Sequence, residues 1–532
     1  MDFSLIYPSN EHKQARFDGK DCPYITSEVL DELGLSEVFN LQSGRLCDFF
    51  TTNKEVIEYR QEVFKDLVEL PDVASALLKA TPIISDIAEL RRLTLDVDQS
   101  DSYLYSVTEV ELYISCMELL KDELLPLADK VKSKAISCLI KKVEEVINSE
   151  YFNDLTKRLS DLSSRVREIK SVTIGVNLDA RLRPESAGVL SVNNEHFKSG
   201  ALLQKFLRLD FKSDEYTCIA TLQPLAKNAT ENQQEALEYA FNNALNAVFK
   251  ASMRSWKKVV QSYILEHASF LINLLPEIEF LVKGAEFINN LNLTENDVCF
   301  PQIEEMSKKA FSLASITNPV VAIKLGQKLV ENDFAFDENG TFYVLSGPNR
   351  GGKSVISCAV GLNLALAQLG LVVCAKEAII SPADAIYTHF PTGSEDTIDK
   401  GRLGEECARL DEIFEKVTGD SLVLLDETLS STGSYEGSYI ASEVLSGFSM
   451  VKCRGIFSTH LHELSAMIDD INERCEKSGG AKIDTLVAGM EEGQRSFKIY
   501  RKKPDGRSYA RDIADKYGIS LDSILKKIKK NK

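Results

Sequence analysis

An eight-residue stretch, GPNRGGKS at residues 347–354, constrains the fold of this chain more than any other feature of its sequence. It follows a short apolar segment, FYVLS at 342–346, and a predicted helix comes after it. The pattern G-x-x-x-x-G-K-[ST] between a strand and a helix predicts a loop whose backbone N–H groups wrap phosphates at the positive end of the helix. A glycine-rich turn without a ligand is the alternative, and the strand–loop–helix context disfavours it.

The residue types in this loop indicate their roles in nucleotide binding. Lys353 is expected to contact the β- and γ-phosphates of ATP, and the Ser354 hydroxyl is expected to bind Mg²⁺. The sequence therefore predicts ATP and Mg²⁺ as ligands. The predicted nucleotide-binding residues of the loop are Gly347, Pro348, Asn349, Arg350, Gly351, Gly352, Lys353 and Ser354.

A second segment, SLVLLDE at 421–427, predicts a buried strand that ends in two carboxylates. Asp426 is expected to hold the Mg²⁺ shell, directly or through water, and Glu427 to polarise the attacking water as a general base. An apolar strand that ends in Asp-Glu is common, and taken alone it is equally well a core strand with a solvated end. Downstream of a phosphate-binding loop, the catalytic interpretation is favoured.

A third strand, GIFST at 455–459, is followed by His460, His462 and Glu463. A histidine at the carboxyl end of a strand lies at the edge where open α/β sheets bind ligands, so His460 is a candidate contact for the γ-phosphate or the attacking water. A metal site is the alternative for H-x-H-E, but the sequence offers no third candidate ligand nearby. We interpret His462 as structural.

Pattern changes along the chain predict three domains. Residues 1–40 are expected to be an irregular lead-in, residues 41–300 a helical domain, and residues 301–532 an α/β domain in which short apolar strands alternate with helices. Between Cys47 and Leu93 short helices with a break near Pro71 are expected.

The helical domain is expected to contain a small β insert. Apolar residues at helical spacing predict a long helix from about Ser102 that extends past Ile136, Ile140, Val143 and Ile147. Alternating apolar residues at 172–178 predict a strand, with 189–192 as its hairpin partner, in an insert at about 171–225. Further apolar segments at 203–209 and 218–222 belong to that insert, and helix is expected to resume near Glu231 and to break or kink near Pro276.

Composition limits the classes of function. The net charge of −18 gives no support for DNA binding, because DNA affinity comes largely from Lys and Arg side chains that neutralise phosphates. Salt screening confines the electrostatic field of surface charges to about 10 Å, so a local basic surface remains compatible with the net charge of the chain. Eleven singly scattered cysteines, the absence of an apolar run of membrane-spanning length and an N-terminus without a signal pattern predict a cytoplasmic protein.

The motifs together resemble those of the MutS family of mismatch-repair ATPases. GPNRGGKS is similar to that family's GPNMGGKS, LVLLDE to its LLLLDE, and STHLHEL to its ATHYHEL. The likeness continues in ITNPVV at 316–321, in VVCAKEAIISPADAIYTHF at 372–390 and in RKKPDGRSYARDIADKYGI at 501–519. Residues 47–93 and the helical arms resemble, more weakly, the family's core and lever domains.

The resemblance implies a fold, a set of site residues and an assembly. The expected fold is a multidomain α and α/β protein: a helical core and lever domain with a small β insert, then a P-loop ATPase domain of the MutS/ABC type. Lys353, Glu427 and His460 take the catalytic roles, and Asp426 with Ser354 those of metal ligands. The family works as dimers through its ATPase domains, in which a signature loop from one subunit completes the other subunit's site.

Two positions depart from the family pattern. The signature loop corresponds to LSSTGSYEG at 429–437, where Gly433 stands in place of the signature serine. Ser434 keeps a hydroxyl at the start of the next helix, where it could meet a γ-phosphate. Arg350 replaces a methionine, and its side chain is either a phosphate or acidic-residue contact or a solvated group.

The chain also departs from the family in its domain content. The core-like segment begins near residue 41, which leaves no room for the N-terminal domain and connector that read mismatches, so direct mismatch recognition is not expected. The insert at 172–192 is similar to that of the mismatch-independent bacterial branch of the family, whose C-terminal nuclease domain is not present in this sequence.

Three functions compete on these motifs. The favoured one is an ATP-gated dimeric clamp on duplex, mismatched or branched DNA in repair or recombination, and the alternative is a MutS-like ATPase that acts on a protein partner without binding DNA. A transport ATPase with a membrane partner is disfavoured, because no LSGGQ-type signature follows the loop. A charge-decorated coiled-coil face explains the basic candidates for DNA contact equally well. Those candidates are Lys157, Arg158, Arg165, Arg167, Arg181 and Arg183. The sequence names no downstream protein partner.

Overall fold

A computed structural model of the chain describes ten ranges, which group into two compact units. The described residues are 3–96, 103–167, 171–178, 180–181, 184–193, 269–348, 350–390, 402–491, 494–504 and 517–530. The first unit comprises Met1–Ala74, Lys132–Ile136 and Phe280–Lys532, and the second comprises Ser75–Val131 and Ser137–Glu279. No helix in these ranges combines the length and hydropathy that crossing a bilayer requires.

The N-terminal part of the first unit is helical. Its helices are α1 (Asn10–Phe17), α2 (Ser27–Leu33), α3 (Ser36–Phe39), α4 (Ser43–Cys47) and α5 (Lys54–Glu69). The Ser9 hydroxyl caps α1 and Thr26 caps α2, each by accepting a hydrogen bond from a first-turn N–H group. The expectation of an irregular lead-in over residues 1–40 is wrong. These helices are too short to show a clear helical spacing of apolar residues in the sequence. Burial of residues such as Leu30 and Leu33 stabilises them.

The remaining helices before the α/β part are longer. They are α6 (Pro71–Asp96), α7 (Tyr103–Leu124), α8 (Lys134–Ile147), α9 (Glu150–Arg167) and α10 (Ser269–Asn292). The predicted break near Pro71 is confirmed, since α6 begins at that proline, where the missing N–H costs nothing. Of the predicted break or kink near Pro276, the break is wrong, because helix α10 continues through that proline.

The single long helix predicted from Ser102 is two helices. Helix α7 ends before a 3₁₀ turn at Leu125–Leu127 that contains Pro126, and α8 begins only at Lys134. Proline lacks a donor for helix continuation. The Asp66 carboxylate then holds the chain on the far side of the break by accepting from the backbone N–H of Ser133 at 2.7 Å. The apolar stripe through Ile136, Ile140 and Val143 is buried as expected.

The predicted hairpin of the insert is present. Strands β1 (Ser171–Leu178) and β2 (Pro184–Asn193) pair antiparallel, with Ser171 opposite Asn193. The predicted segments at 203–209 and 218–222 and the helix start near Glu231 lie outside the described residues.

The α/β part contains two sheets. The four-stranded sheet has the order β3-β7-β4-β5, from strands β3 (Gln302–Ile303), β4 (Phe311–Ile316), β5 (Asn332–Phe336) and β7 (Glu377–Ile380). The six-stranded sheet has the order β12-β11-β6-β10-β9-β8, from β6 (Phe342–Ser346), β8 (Ile386–His389), β9 (Leu422–Asp426), β10 (Arg454–Ser458), β11 (Ile483–Glu491) and β12 (Gln494–Arg501).

Strand pairing places the functional motifs together. From β11 to β8 the neighbouring strands of the larger sheet are parallel, and only β12 is antiparallel to its neighbour. Strands β6, β9 and β10 are buried along their whole length, as in a sheet covered on both faces. Because β10 lies between β6 and β9, the three segments that follow these strands meet at one edge of the sheet.

Helices alternate with these strands, as predicted for an α/β domain. They are α11 (Pro319–Leu325), α12 (Lys353–Leu369), α13 (Arg402–Lys416), α14 (Ser434–Val451), α15 (His462–Glu476) and α16 (Leu521–Lys530). The first compact unit groups Met1–Ala74 with this α/β part, a grouping that differs from the predicted division at residues 40 and 300. One reason is that Tyr24 extends the edge of the larger sheet: its N–H donates to Asp384 O at 2.7 Å, and its carbonyl accepts from Ile386 N–H at 3.1 Å.

Candidate active site

The loop between β6 and α12 needs glycine at two positions. Gly347 has a φ of 140° and Gly352 a φ of 94°, both in the region that favours glycine. A Cβ on Gly347 would lie 2.7 Å from the Ala488 Cβ, so a side chain has no room there. Gly352 precedes α12 and offers no side-chain cap, which leaves the first N–H groups of the helix available to an anion. Asn349 lies outside the described residues.

Lys353 is the buried centre of the site, with 5% of its surface exposed. Its Nζ lies 3.1 Å from Gly347 O, 3.3 Å from Pro348 O and 3.2 Å from His460 Nε2. Burial lowers the pKa of this ammonium group, and the negative charges of Glu427 and Asp426 oppose that shift. The loop carbonyls therefore hold the ammonium at the base of the phosphate-binding loop.

Asp426 ends β9 and is 5% exposed. Burial raises the pKa of its carboxyl group, while hydrogen bonding to Ser354 and the charge of Lys353 act in the opposite direction. Its Oδ1 atom is buried and has no hydrogen-bond partner among the described residues. An unpartnered carboxylate oxygen beside a serine hydroxyl fits the oxygen-ligand chemistry of Mg²⁺.

The described ranges contain no group of three or more His, Cys, Asp or Glu side chains placed to hold a metal ion. A cation beside Asp426 would therefore take its further ligands from Ser354, water and phosphate oxygens, as Mg²⁺ commonly does in nucleotide sites. The His462 side chain lies outside the described part of the structure.

Glu427 and His460 form the solvent-facing half of the site. His460 Nε2 lies 2.8 Å from Glu427 Oε1, and the two side chains are 34% and 40% exposed. The same nitrogen approaches Lys353 Nζ, but it cannot accept from the ammonium and donate to the carboxylate in one tautomer. The tautomer of His460 therefore determines which of these two partners its Nε2 atom can bind.

A cavity of about 510 Å³ adjoins the loop, and sequence reasoning did not identify its outer wall. Of the predicted site residues, Arg350, Gly352, Lys353, Ser354 and Glu427 line it. The opposite wall comes from the segment that contains α11 and β5 and from Phe497; it includes Asn318, Val321, Leu325, Val330 and Asn332.

Asn318 fixes that wall to the loop helix. Its Oδ1 caps α11 by accepting from Val321 N–H at 3.0 Å, and its Nδ2 donates to Val355 O at 3.1 Å. The only sequence signal for this wall is the similarity of ITNPVV to a family segment, which indicates no role for individual residues.

The signature-loop residue Ser434 is not among the residues that line the cavity. It begins α14 after Gly433, and its hydroxyl donates to the Glu463 carboxylate. Ser431 donates in the same way to Glu406 at 3.0 Å. Within this chain the loop therefore makes its hydrogen bonds with neighbouring acidic side chains.

The chain matches two family models, which lie one after the other. The MutS2 N-terminal domain matches residues 52–294, and MutS domain V matches residues 343–519. The second match covers the phosphate-binding loop, both carboxylates and His460.

Individual proteins with sequence similarity include both MutS and MutS2. A DNA mismatch repair protein MutS from Prochlorococcus marinus is 26% identical over 57% of this chain and 34% of its own length. Another from a Synechococcus species is 31% identical over 51% of this chain and 29% of its own. An endonuclease MutS2 from Thermus thermophilus is 27% identical over 48% of this chain and 33% of its own.

The chain thus spans about a third of the length of the curated relatives that it matches. A MutS2 N-terminal domain is followed in sequence by a MutS domain V, and the latter carries the site described above. The chain therefore belongs to the MutS family.

Proposed function

We propose that this chain binds ATP with Mg²⁺ and hydrolyses it to ADP and phosphate at the edge of the six-stranded sheet. The observation that carries the proposal is the contact chain from Lys353 through His460 to Glu427, with both links within 3.2 Å. These residues come from three separate segments, and the parallel order of β6, β10 and β9 brings them together.

ATP would bind with its phosphates in the loop and its base in the adjoining cavity. The N–H groups at the start of α12 and the Lys353 ammonium would contact the phosphates. The apolar side chains of Val321 and Leu325 and the ring of Phe497 offer surfaces against which a purine ring can pack. Arg350, on the loop side of the cavity, would meet a phosphate.

Mg²⁺, when bound, neutralises the charge that develops on the phosphate oxygens. Asp426 and Ser354 would hold it, and the unpartnered Asp426 Oδ1 supports that assignment. Glu427 would accept the proton of the attacking water, which forms the new bond to the γ-phosphorus as the bond to the ADP oxygen breaks. His460 would hold the Glu427 carboxylate or, once ATP is in place, contact the γ-phosphate.

We further propose that ATP binding and hydrolysis open and close a dimeric clamp that this chain forms on DNA. The family membership and the names of the relatives, DNA mismatch repair protein and endonuclease, support this. Among the basic candidates for DNA contact, Arg158 is already paired with Asp154 at 2.7 Å. An ATPase that acts on a protein partner is the second candidate function, and the net charge of −18 favours it.

Assembly and domain organisation are proposed on the same basis. The chain would dimerise through its ATPase domains, with Ser434 of one subunit facing the γ-phosphate bound by the other. Residues 41–300 would form the core and lever domain, and residues 301–532 the ATPase domain. One compact unit contains both Met1–Ala74 and Phe280–Lys532, which supports adding residues 1–40 to the ATPase domain.

Steady-state ATP hydrolysis with and without duplex, mismatched and branched DNA, at low and high salt, separates the two functions. A clamp predicts stimulation by at least one DNA form that weakens steeply as salt rises, because phosphate contacts release counterions. Glu427→Ala should abolish hydrolysis with every DNA. Hydrolysis that no DNA changes would reject the clamp and favour the protein-partner function.

A further inference from the structure

A histidine to which the sequence analysis assigns no role lies next to the strand that ends at Asp426. His389 is the last residue of β8, directly beside β9, where it pairs with Leu425. Its Nδ1 lies 2.8 Å from the Thr428 hydroxyl oxygen. The two side chains are 8% and 1% exposed, so water does not compete with this hydrogen bond.

Thr428 lies in a sharply turned segment that carries Glu427. The residues on either side of it, Glu427 with a φ of 51° and Leu429 with a φ of 64°, both adopt the left-handed conformation although neither is glycine. Such a conformation persists where surrounding contacts fix it. One contact is the hydrogen bond from Glu427 N–H to Ser458 O on β10, at 2.9 Å. The other contact is the hydrogen bond between the Thr428 hydroxyl and His389 at the end of β8.

The end of β8 is itself held in place. Arg409 of α13 donates to Thr388 O at 3.3 Å and to Glu32 Oε1 of α2 at 2.6 Å. Burial, aided by the positive charge of Arg409, lowers the pKa of His389 to about 4. The imidazole is therefore neutral at pH 7 and serves as a fixed hydrogen-bond partner for the Thr428 hydroxyl.

We propose that His389, through Thr428, positions the Glu427 carboxylate for ATP hydrolysis. This inference rests on the proposed ATPase function. His389 is not among the residues that line the cavity, so we assign it a positioning role in which it acts on the attacking water through the turn. The hydrogen bond holds the turn between β8 and β10, which aims the carboxylate at the site where the γ-phosphate would lie.

The test compares variants that remove the hydrogen bond with variants that keep it. Thr428→Val and His389→Leu should lower kcat by about tenfold or more, since misplacement of a catalytic group by about 1 Å can cost roughly a hundredfold. The Kd of ATP, measured with a fluorescent analogue, should change less than about twofold, because the loop and Lys353 are untouched. Thr428→Ser and His389→Asn keep a polar partner and should retain most of the activity.

A matched control and a double variant separate positioning from folding. Thr485→Val removes a similar buried hydroxyl bond, to Lys502 O at 2.9 Å, on β11 and away from the turn after β9, and should leave kcat unchanged. The double variant His389→Leu with Thr428→Val should be no slower than the slower single variant, because both remove one shared interaction. If Thr428→Val does not fold, His389→Leu with its His389→Asn rescue gives the same comparison.

Wild-type kcat in both Thr428→Val and His389→Leu, or independent losses that multiply in the double variant, would overturn the positioning role while leaving the ATPase proposal intact. An unmodified chain that binds ATP but never hydrolyses it would overturn both. The two failures are distinguished by the wild-type rate alone.

Discussion

At the scale of single residues, the site keeps a carboxylate in a place that disfavours its charge. Asp426 is almost fully buried, and its raised pKa records the free energy that burial costs the ionised form. Lys353, whose pKa burial lowers, lies close enough to compensate only part of that cost. Such an arrangement is typical of a site that gains stability when a cation enters.

In the absence of Mg²⁺, the Asp426→Asn variant should therefore be more stable than the wild type. The same variant should not hydrolyse ATP. The folded state binds the Asp426 proton more tightly than the unfolded state, so the stability it contributes is complete below the ordinary pKa of aspartate and is lost as pH rises through the raised value. Asparagine does not ionise, so the variant does not lose stability as pH rises in this way. Each tenfold difference in proton affinity between the folded and the unfolded state corresponds to about 1.4 kcal/mol of stability.

Thermal melting at pH 7 and at pH 4, without Mg²⁺, measures this effect. The melting temperature of Asp426→Asn should exceed that of the wild type at pH 7, and the difference should shrink at pH 4. Mg²⁺ should raise the melting temperature of the wild type only. A variant that is less stable than the wild type at pH 7 would contradict the account.

At the scale of elements, the N-terminal helices support the six-stranded sheet. Leu33 of α2 packs so close to the loop helix that a Cβ on Gly361 would lie 3.1 Å from it. Arg409 joins α2 to the end of β8 through Glu32, whose side chain is 10% exposed. These contacts make α2 a part of the unit that holds the proposed nucleotide site.

Arg409→Ala should lower the free energy of unfolding by about 1–3 kcal/mol, because it leaves the shielded Glu32 carboxylate without its partner. The matched control is Arg474→Ala, which removes an ion pair with Glu443 in which both side chains are 53% exposed. Exposed pairs contribute about 0–1 kcal/mol. Chemical denaturation of both variants measures the difference, and equal losses would show that Arg409 does not brace the sheet.

How much of these elements the sequence predicts depends on the range of the interactions that form them. The strand–loop–helix at 342–369, the strand that ends at Asp426 and the hairpin at 171–193 follow from local pattern and are confirmed. The lead-in helices and the cavity wall around Asn318 depend on packing against distant residues, which no local period encodes. The His389–Thr428 contact joins residues 39 positions apart and leaves no signal in a single sequence.

At the scale of the whole molecule, the proposed dimer predicts a complementation result. Lys353→Ala disables the loop of one subunit, and Ser434→Ala disables the signature loop that would serve the partner. In a mixed dimer one site keeps both intact components. Equal mixing of two inactive variants should therefore restore about a quarter of the wild-type ATPase rate, since half of the dimers are mixed and each has one working site.

Steady-state hydrolysis by the mixture, with each variant alone as control, measures this. If the Ser434→Ala variant is fully active alone, the signature loop does not contribute to the catalytic site. A mixture no more active than its components would indicate that each subunit works by itself or that the subunits do not exchange.

The central claim is that Glu427 activates the water that cleaves ATP. Single-turnover hydrolysis of prebound ATP, followed in the wild type and in Glu427→Gln with Mg²⁺ present, tests it most directly. We predict that both proteins bind ATP with similar affinity and that the variant converts it to ADP at least about a hundredfold more slowly. Equal single-turnover rates in the two proteins would contradict the account and show that Glu427 is not the general base.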